Sequence, residues 1–305
     1  MFRKKLRYIL PGTGRFRYYN RIRIFGFDRE RRIRRTFREK VKIVLDTASE
    51  TVIPFTDIDI TTFCNLRCKR CAKCIPYFRE RKHFTAEEIR ENLELLTRYI
   101  DTVYVANIIG GEPFLNPELP EIIRICSENK KIRTLELTTN ATIVPGERVL
   151  RALKDGGITV HISNYPNLDQ RYEENREKLI GKLKEYGIPY EYQFHEIWLD
   201  FGEIERHGYT DRELEKMFLH CPMNSCTVFN GRTLYRCGKA SYLAQHGMEP
   251  GAGDVIDLKE IHSREEMKAK IRTFFSAGYL PACRYCSLHP QVIAAAEQLE
   301  GDEAR

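Results

Sequence analysis

The chain has 305 residues, 42% of them hydrophobic and 30% charged, enough apolar material for one large domain or a medium one beside a small one. Such a composition excludes a disordered tail or a mini-protein. No apolar run approaches the roughly eighteen residues of a spanning helix, and the basic start has no apolar segment behind it, so a cytoplasmic protein is expected. The formal net charge is +7, yet residues 1–43 hold sixteen Lys or Arg against three Asp or Glu, which leaves the remainder net acidic.

In that basic segment Ile33, Phe37, Val41 and Val44 recur at helical spacing behind Arg31, Arg32, Arg34, Arg35 and Arg38. This predicts an amphipathic extension over 1–50. Its apolar stripe packs on the main domain, or its cationic face meets an anionic membrane surface, such as the inner membrane face, or a phosphorylated or nucleotide-linked substrate. Nucleic acid ranks last, because no binding module accompanies the charge.

From about residue 56 short apolar runs alternate with helical patterns. Strands are predicted over 56–60, 102–109, 134–138, 158–163 and 190–197, and helices over 85–99, 117–128, 145–155 and 169–186. Thr85 with Glu88 reads as a capping box, and Asp169 as a helix cap. Repeated βα units give an α/β fold with a parallel sheet or barrel and helices outside, in which ligands bind beyond the strand ends. After about residue 210 a helix ending near Cys221 and an Asn230-Gly231 hairpin signal open a smaller cysteine-rich unit.

Ten cysteines without a secretory signature point to metal ligation or thiol chemistry. Cys64, Cys68 and Cys71 fall within eight residues directly after a predicted strand. Three thiols can hold three irons of a cubic iron-sulfur cluster and leave one iron open. A closed zinc site, with Cys74 or His83 as the fourth ligand, is the alternative. Downstream, Cys221, Cys226 and Cys237 precede Cys283-Arg-Tyr-Cys286, a set suited to a four-thiolate zinc site or a second iron-sulfur cluster. Cys126 shares a helical stripe with Ile122 and Ile123 and reads as a small core residue.

In Cys64, Cys68 and Cys71, and in Gly110-Gly111-Glu112-Pro113 after the second strand, the sequence resembles the radical S-adenosylmethionine superfamily. The resemblance implies a partial (β/α)6 TIM-like barrel over 51–215 and a 4Fe-4S cluster whose open iron chelates S-adenosylmethionine. It implies that the glycine motif holds the methionyl moiety, with Thr139, Asn140 and Ser163 placed for its carboxylate, ribose or adenine. Arg70 departs from the aromatic residue or histidine frequent before the third cysteine, which puts adenine stacking there in doubt. The second set looks like a Twitch domain, the short form of SPASM, over 216–290 with a C-terminal tail over 291–305. The ligands of its auxiliary 4Fe-4S cluster are then Cys221, Cys237, Cys283 and Cys286.

The resemblance further implies reductive cleavage of S-adenosylmethionine, with a flavodoxin- or ferredoxin-type electron donor, and hydrogen abstraction by a 5′-deoxyadenosyl radical. Resemblance to Twitch enzymes that act on sugars and aminocyclitols implies a carbohydrate-like small-molecule substrate dehydrogenated through the auxiliary cluster, and the basic amino terminus favours an anionic one. Epimerisation with Cys226 as hydrogen-atom donor, peptide modification and a non-catalytic metal scaffold are the alternatives. His161, His195 and Glu196 are the candidate catalytic groups in the barrel.

Overall fold

The computed structural model describes residues 50–300 apart from positions 79, 203, 222, 225, 249, 250 and 252. The expectations for residues 1–43, and for the tail beyond 300, lie outside the described residues. Among the described residues no helix is long and apolar enough to cross a membrane.

Five parallel strands form the centre of the molecule: β2 (Thr56–Asp59), β3 (Thr102–Ile109), β4 (Ile132–Thr139), β5 (Thr159–Asn164) and β6 (Tyr190–Phe194). A two-residue β1 (Val52–Ile53) lies beside β3. Four helices connect the strands: α1 (Ala86–Arg98), α2 (Leu119–Glu128), α3 (Glu147–Asp155) and α4 (Gln170–Tyr186). Their starts follow from local chemistry. Thr85 and Glu88 make the reciprocal capping box of α1, and Asp169 accepts from Tyr172 N at the head of α4.

Strand side chains alternate between the two faces of the sheet. One set, Ile58, Ala106, Ile108, Leu135, Leu137, Val160 and Ile162, joins Leu93, Ile122, Cys126, Leu153 and Leu183 of the helices in one core. The other is polar: Asp57, Asp59, Asn107 and His161 are all buried. The result is an open, mostly parallel α/β sheet with helices packed on it, as a partial barrel requires.

After β6 come β7 (Ile197–Asp200), α5 (Asp211–His220), β8 (Val228–Asn230), β9 (Thr233–Tyr235), α6 (Gly238–Gln245), β10 (Val255–Asp257), α7 (Arg264–Ser276) and β11 (Gln291–Ala294). β8 pairs with β2 in parallel, so the hairpin expected to open a separate unit extends the central sheet. The strand expected over 190–197 is broken. His195 N donates to Asn164 O at 2.8 Å, and the chain then leaves the main sheet so that β7 pairs antiparallel with β11. That partner lies about ninety residues downstream, beyond the reach of any local pattern.

Ile108 is fully buried on β3. Ile108→Ala is expected to cost about 2–5 kcal/mol and Thr85→Ala about 1 kcal/mol, measured by urea denaturation of the protein without cofactors.

Candidate active site

Three strand ends meet at the rim of the barrel. Beyond β2 the chain enters the loop carrying Cys64, Cys68 and Cys71, and beyond β3 it enters Gly110-Gly111. The two loops meet backbone to backbone. A Cβ on Gly110, whose φ is +148°, would stand 2.1 Å from the Thr61 carbonyl oxygen, and one on Gly111 would stand 2.0 Å from that of Phe63. Glycine is therefore required by space at both positions and by backbone conformation at Gly110. Gly111 N and Glu112 N donate to Thr61 O and Phe63 O, each at 2.8 Å.

Glu112 is fully buried and faces protein donors. Its Oε1 accepts from Thr139 Oγ1 at 2.8 Å and Phe114 N at 3.1 Å, and its Oε2 accepts from Asn140 N at 2.8 Å. Burial pushes its carboxyl up to about 7, against the pull of those three donors. Pro113 follows as the first residue of a short 3-10 turn, where its missing N–H costs nothing. Glu112 thus clips the glycine loop to the end of β4, and Asn140 reaches back to donate to Cys64 Sγ at 3.6 Å and Asn65 Oδ1 at 3.1 Å.

The first three thiols lie within electrostatic reach of one another. Burial pushes Cys64 and Cys68 up to about 12 and raises Cys71. Leu66 N donates to Cys64 Sγ and Gln298 Nε2 to Cys68 Sγ, both at 3.4 Å. A thiol that burial keeps neutral, yet that N–H donors face, suits a cation that displaces its proton. Among the described residues no three His, Cys, Asp or Glu side chains converge tightly enough for a single metal ion.

The second set comes together from three places. Cys221 caps α5, Cys237 caps α6, and Cys283 lies within a 3-10 turn that Cys286 caps. Cys221 and Cys283 both feel Cys237 and Cys286. Met223 N, Ala240 N and Leu280 N donate to Cys221, Cys237 and Cys283 at 3.4 Å each. Burial raises all four thiols, Cys237 to about 12.

Other expected residues separate. His161, 1% exposed, has Nε2 3.1 Å from Glu136 and Nδ1 3.4 Å from Glu191 on the polar face of the sheet. Ser163 is buried at the end of β5, and its carbonyl accepts from Tyr172 Oη at 2.8 Å. His195 is half-buried against Tyr165, and Glu196 is exposed. Cys226 is buried beside Cys221 in the second set. It is Cys74 that feels thiols of both sets, Cys71 and Cys286.

Three contributors had no local signature. Gln298 belongs to a C-terminal strap: Leu299 N and Lys69 N bond Arg67 O and Glu297 O, and Cys68 and Gln298 form a β-bridge. Lys73 reaches from the cysteine loop to Asp59 Oδ1 at 2.7 Å and Asp57 Oδ2 at 3.6 Å. Arg70 pairs with Asp200 at 2.9 Å and so ties that loop to β7.

The radical SAM superfamily model matches residues 58–214, half of the chain, and the chain belongs to that superfamily. It is accordingly an enzyme of the class that binds a 4Fe-4S cluster and S-adenosylmethionine. Among curated relatives, GTP 3′,8-cyclase of Aquifex aeolicus is 32% identical over 142 residues, 44% of this chain and 41% of that protein. A probable GTP 3′,8-cyclase of Methanococcus aeolicus is 37% identical over 127 residues, 41% of this chain and 40% of that protein. The chain thus spans about two fifths of the length of these relatives. Among solved structures, BtrN in complex with AdoMet and 2-DOIA is similar over 77% of this chain and 92% of that one, at 17% identity and TM-score 0.49. Streptococcus suis SuiB bound to S-adenosylmethionine matches over 58% and 43%, at 17% identity and TM-score 0.39.

These relatives correct the expected function. Oxidation or epimerisation of a carbohydrate, with Cys226 as hydrogen donor in the latter case, gives way to relatives named as cyclases of GTP, a nucleotide. Peptide modification and a non-catalytic scaffold fall with it. The physical reason is that cysteine spacing specifies a metal site and carries no information about the molecule bound next to it.

Gly111→Ala is expected to displace the cysteine loop and lower S-adenosylmethionine cleavage about a hundredfold, with the far-ultraviolet circular dichroism unchanged. Glu112 is raised from the ordinary 4.5 to about 7, so between those values the folded chain binds more protons than the unfolded one. Stability from this group is full below pH 4.5 and declines as pH rises to about 7. Denaturation midpoints across that range are expected to flatten in Glu112→Gln.

Proposed function

We propose that this enzyme abstracts a hydrogen atom from a purine nucleotide, with GTP the first candidate. What supports a nucleotide is the name shared by the relatives described above, whose aligned region is equivalent to about two fifths of this chain. What supports the cofactor assignment is the backbone contact between Gly110-Gly111 and Thr61–Phe63, which sets Cys64 beside Asn140 at the strand ends.

In this reading Cys64, Cys68 and Cys71 hold the cluster, and the glycine loop, Thr139, Asn140 and Ser163 surround the methionyl and nucleoside parts of S-adenosylmethionine. The bound group supplies a 5′-deoxyadenosyl radical once a flavodoxin- or ferredoxin-type protein delivers an electron. The protein supplies position. Glu112 fixes the rim, and the buried polar face presents Asp57, Asp59, Asn107 and His161 to the barrel interior, where His161 lies 3.1 Å from Glu136 and 3.4 Å from Glu191. Cys221, Cys237, Cys283 and Cys286 bind a second, Twitch-like 4Fe-4S cluster. Ten cysteines, none in a disulfide, suit a reducing cytoplasm.

The test is transfer of label from substrate to cofactor product. With reduced, anaerobically reconstituted enzyme, GTP deuterated throughout its ribose is expected to give deuterated 5′-deoxyadenosine. The Cys64→Ala, Cys68→Ala, Cys71→Ala variant is expected to give none. Unlabelled 5′-deoxyadenosine at a rate indifferent to GTP would refute the nucleotide substrate.

A further inference from the structure

Arg236 follows β9 and immediately precedes Cys237. It is 1% exposed, the largest fully buried side chain among the described residues. Its guanidinium donates to three backbone carbonyls: Nε to Phe274 O at 3.0 Å, Nη1 to Cys226 O at 3.2 Å and Nη2 to Asn224 O at 2.5 Å. Its remaining surroundings are aromatic, with the Phe275, Phe218 and Phe274 rings 4.9, 5.6 and 6.0 Å from Cζ. Among the described residues no carboxylate pairs with it. Asp254 accepts from Arg236 N through its backbone carbonyl, but turns its carboxylate to Ala282 N and Gly251 N.

A guanidinium does not shed its proton in a protein, and an isolated buried charge is costly. Carbonyl dipoles and ring faces offset part of that cost and supply no counter-charge. The groups within electrostatic reach that can supply one are sulfurs: Cys237, Cys226, Cys221 and Cys283. Three of those four belong to the second cysteine set. Four thiolates around an iron-sulfur core carry a net negative charge, in the place where the buried cation has no partner.

We propose that Arg236 is the counter-ion of the second cluster and a positioning residue that raises its reduction potential. The inference rests on the reading that Cys221, Cys237, Cys283 and Cys286 bind a 4Fe-4S cluster. Adding an electron makes the cluster more negative, so a fixed cation beside it favours the reduced state. The cation beside the first set, Lys73, is within electrostatic reach of Cys71 but already pairs with Asp57 and Asp59. Arg236 touches no reacting atom and acts through the cluster alone.

The experiment is a reductive titration followed by electron paramagnetic resonance. It uses the full chain carrying Cys64→Ala, Cys68→Ala and Cys71→Ala, so that only the second cluster gives a signal. Arg236→Met and Arg236→Gln remove the charge, the latter keeping an amide donor for the carbonyls, and Arg236→Lys keeps it. Both neutral variants are expected to shift the midpoint negative by at least tenfold in the oxidised-to-reduced ratio, about 59 mV for a one-electron couple, with Lys restoring most of the shift. Loss of iron from both neutral variants and its retention in Lys supports the same role. An unchanged midpoint at the parent's iron content, or loss of iron from all three variants, overturns the counter-ion and leaves the cluster reading standing. A parent without iron at the second set overturns both.

Discussion

The contact on which the rest of the site depends is backbone against backbone. Gly110 and Gly111 approach the Thr61–Phe63 segment so closely that no side chain fits between. On its other side the same segment is held by Lys82, whose carbonyl accepts from Thr62 N at 2.9 Å and whose N donates to Thr62 Oγ1 at 2.7 Å. The root of the cysteine loop is therefore clamped from both flanks before the first thiol is reached. Glu112 carries the clamp to a third strand end through Thr139 and Asn140. A loop is ordinarily the mobile part of an α/β fold. This one is fixed to the ends of three strands, which is how thiols in a short loop acquire a defined position relative to the barrel interior.

The interior imposes a second constraint. Asp57 and Asp59 alternate with Ile58 on β2, so the register that buries the isoleucine in the helical core turns two carboxylates inward. Buried carboxylates need partners. Asn107 donates to Asp57, Asn230 donates to Asp59, and Lys73 provides the cation. Because Lys73 lies between Cys71 and Cys74 in sequence, neutralising the interior also anchors the far end of the cysteine loop. Electrostatics and loop geometry are here one interaction.

These dependencies explain what the sequence revealed. β3 was legible from end to end, because an eight-residue segment rich in valine and isoleucine is too short for an ordinary helix and is β-branched enough for a strand. The Thr85 capping box and the glycine motif were legible because each is local. The break at His195 was not, since it depends on β11 pairing with β7. Nor was Gln298, which meets Cys68 across 230 residues of chain. Lys73 and Arg236 each sit beside a cysteine in sequence, and single basic residues near a motif usually mark a solvated surface. Only burial distinguishes them. Substrate choice was illegible for another reason: the cysteine pattern concerns metal binding, and sugar and nucleotide substrates leave it unchanged.

The two thiol sets also meet their charge differently. Around the first, the close donors are neutral, Leu66 N, Asn140 and Gln298, and Lys73 is already engaged by two aspartates. Around the second, a guanidinium with no carboxylate partner among the described residues is enclosed with the thiols. A cation close to a cluster opposes the loss of an electron from it, whereas neutral donors do so weakly. Lys239 is within reach of Cys74 and Cys286 and donates to Gly202 O at 2.7 Å. Cys74 thus feels a thiol of each set, Cys71 and Cys286, as well as this lysine.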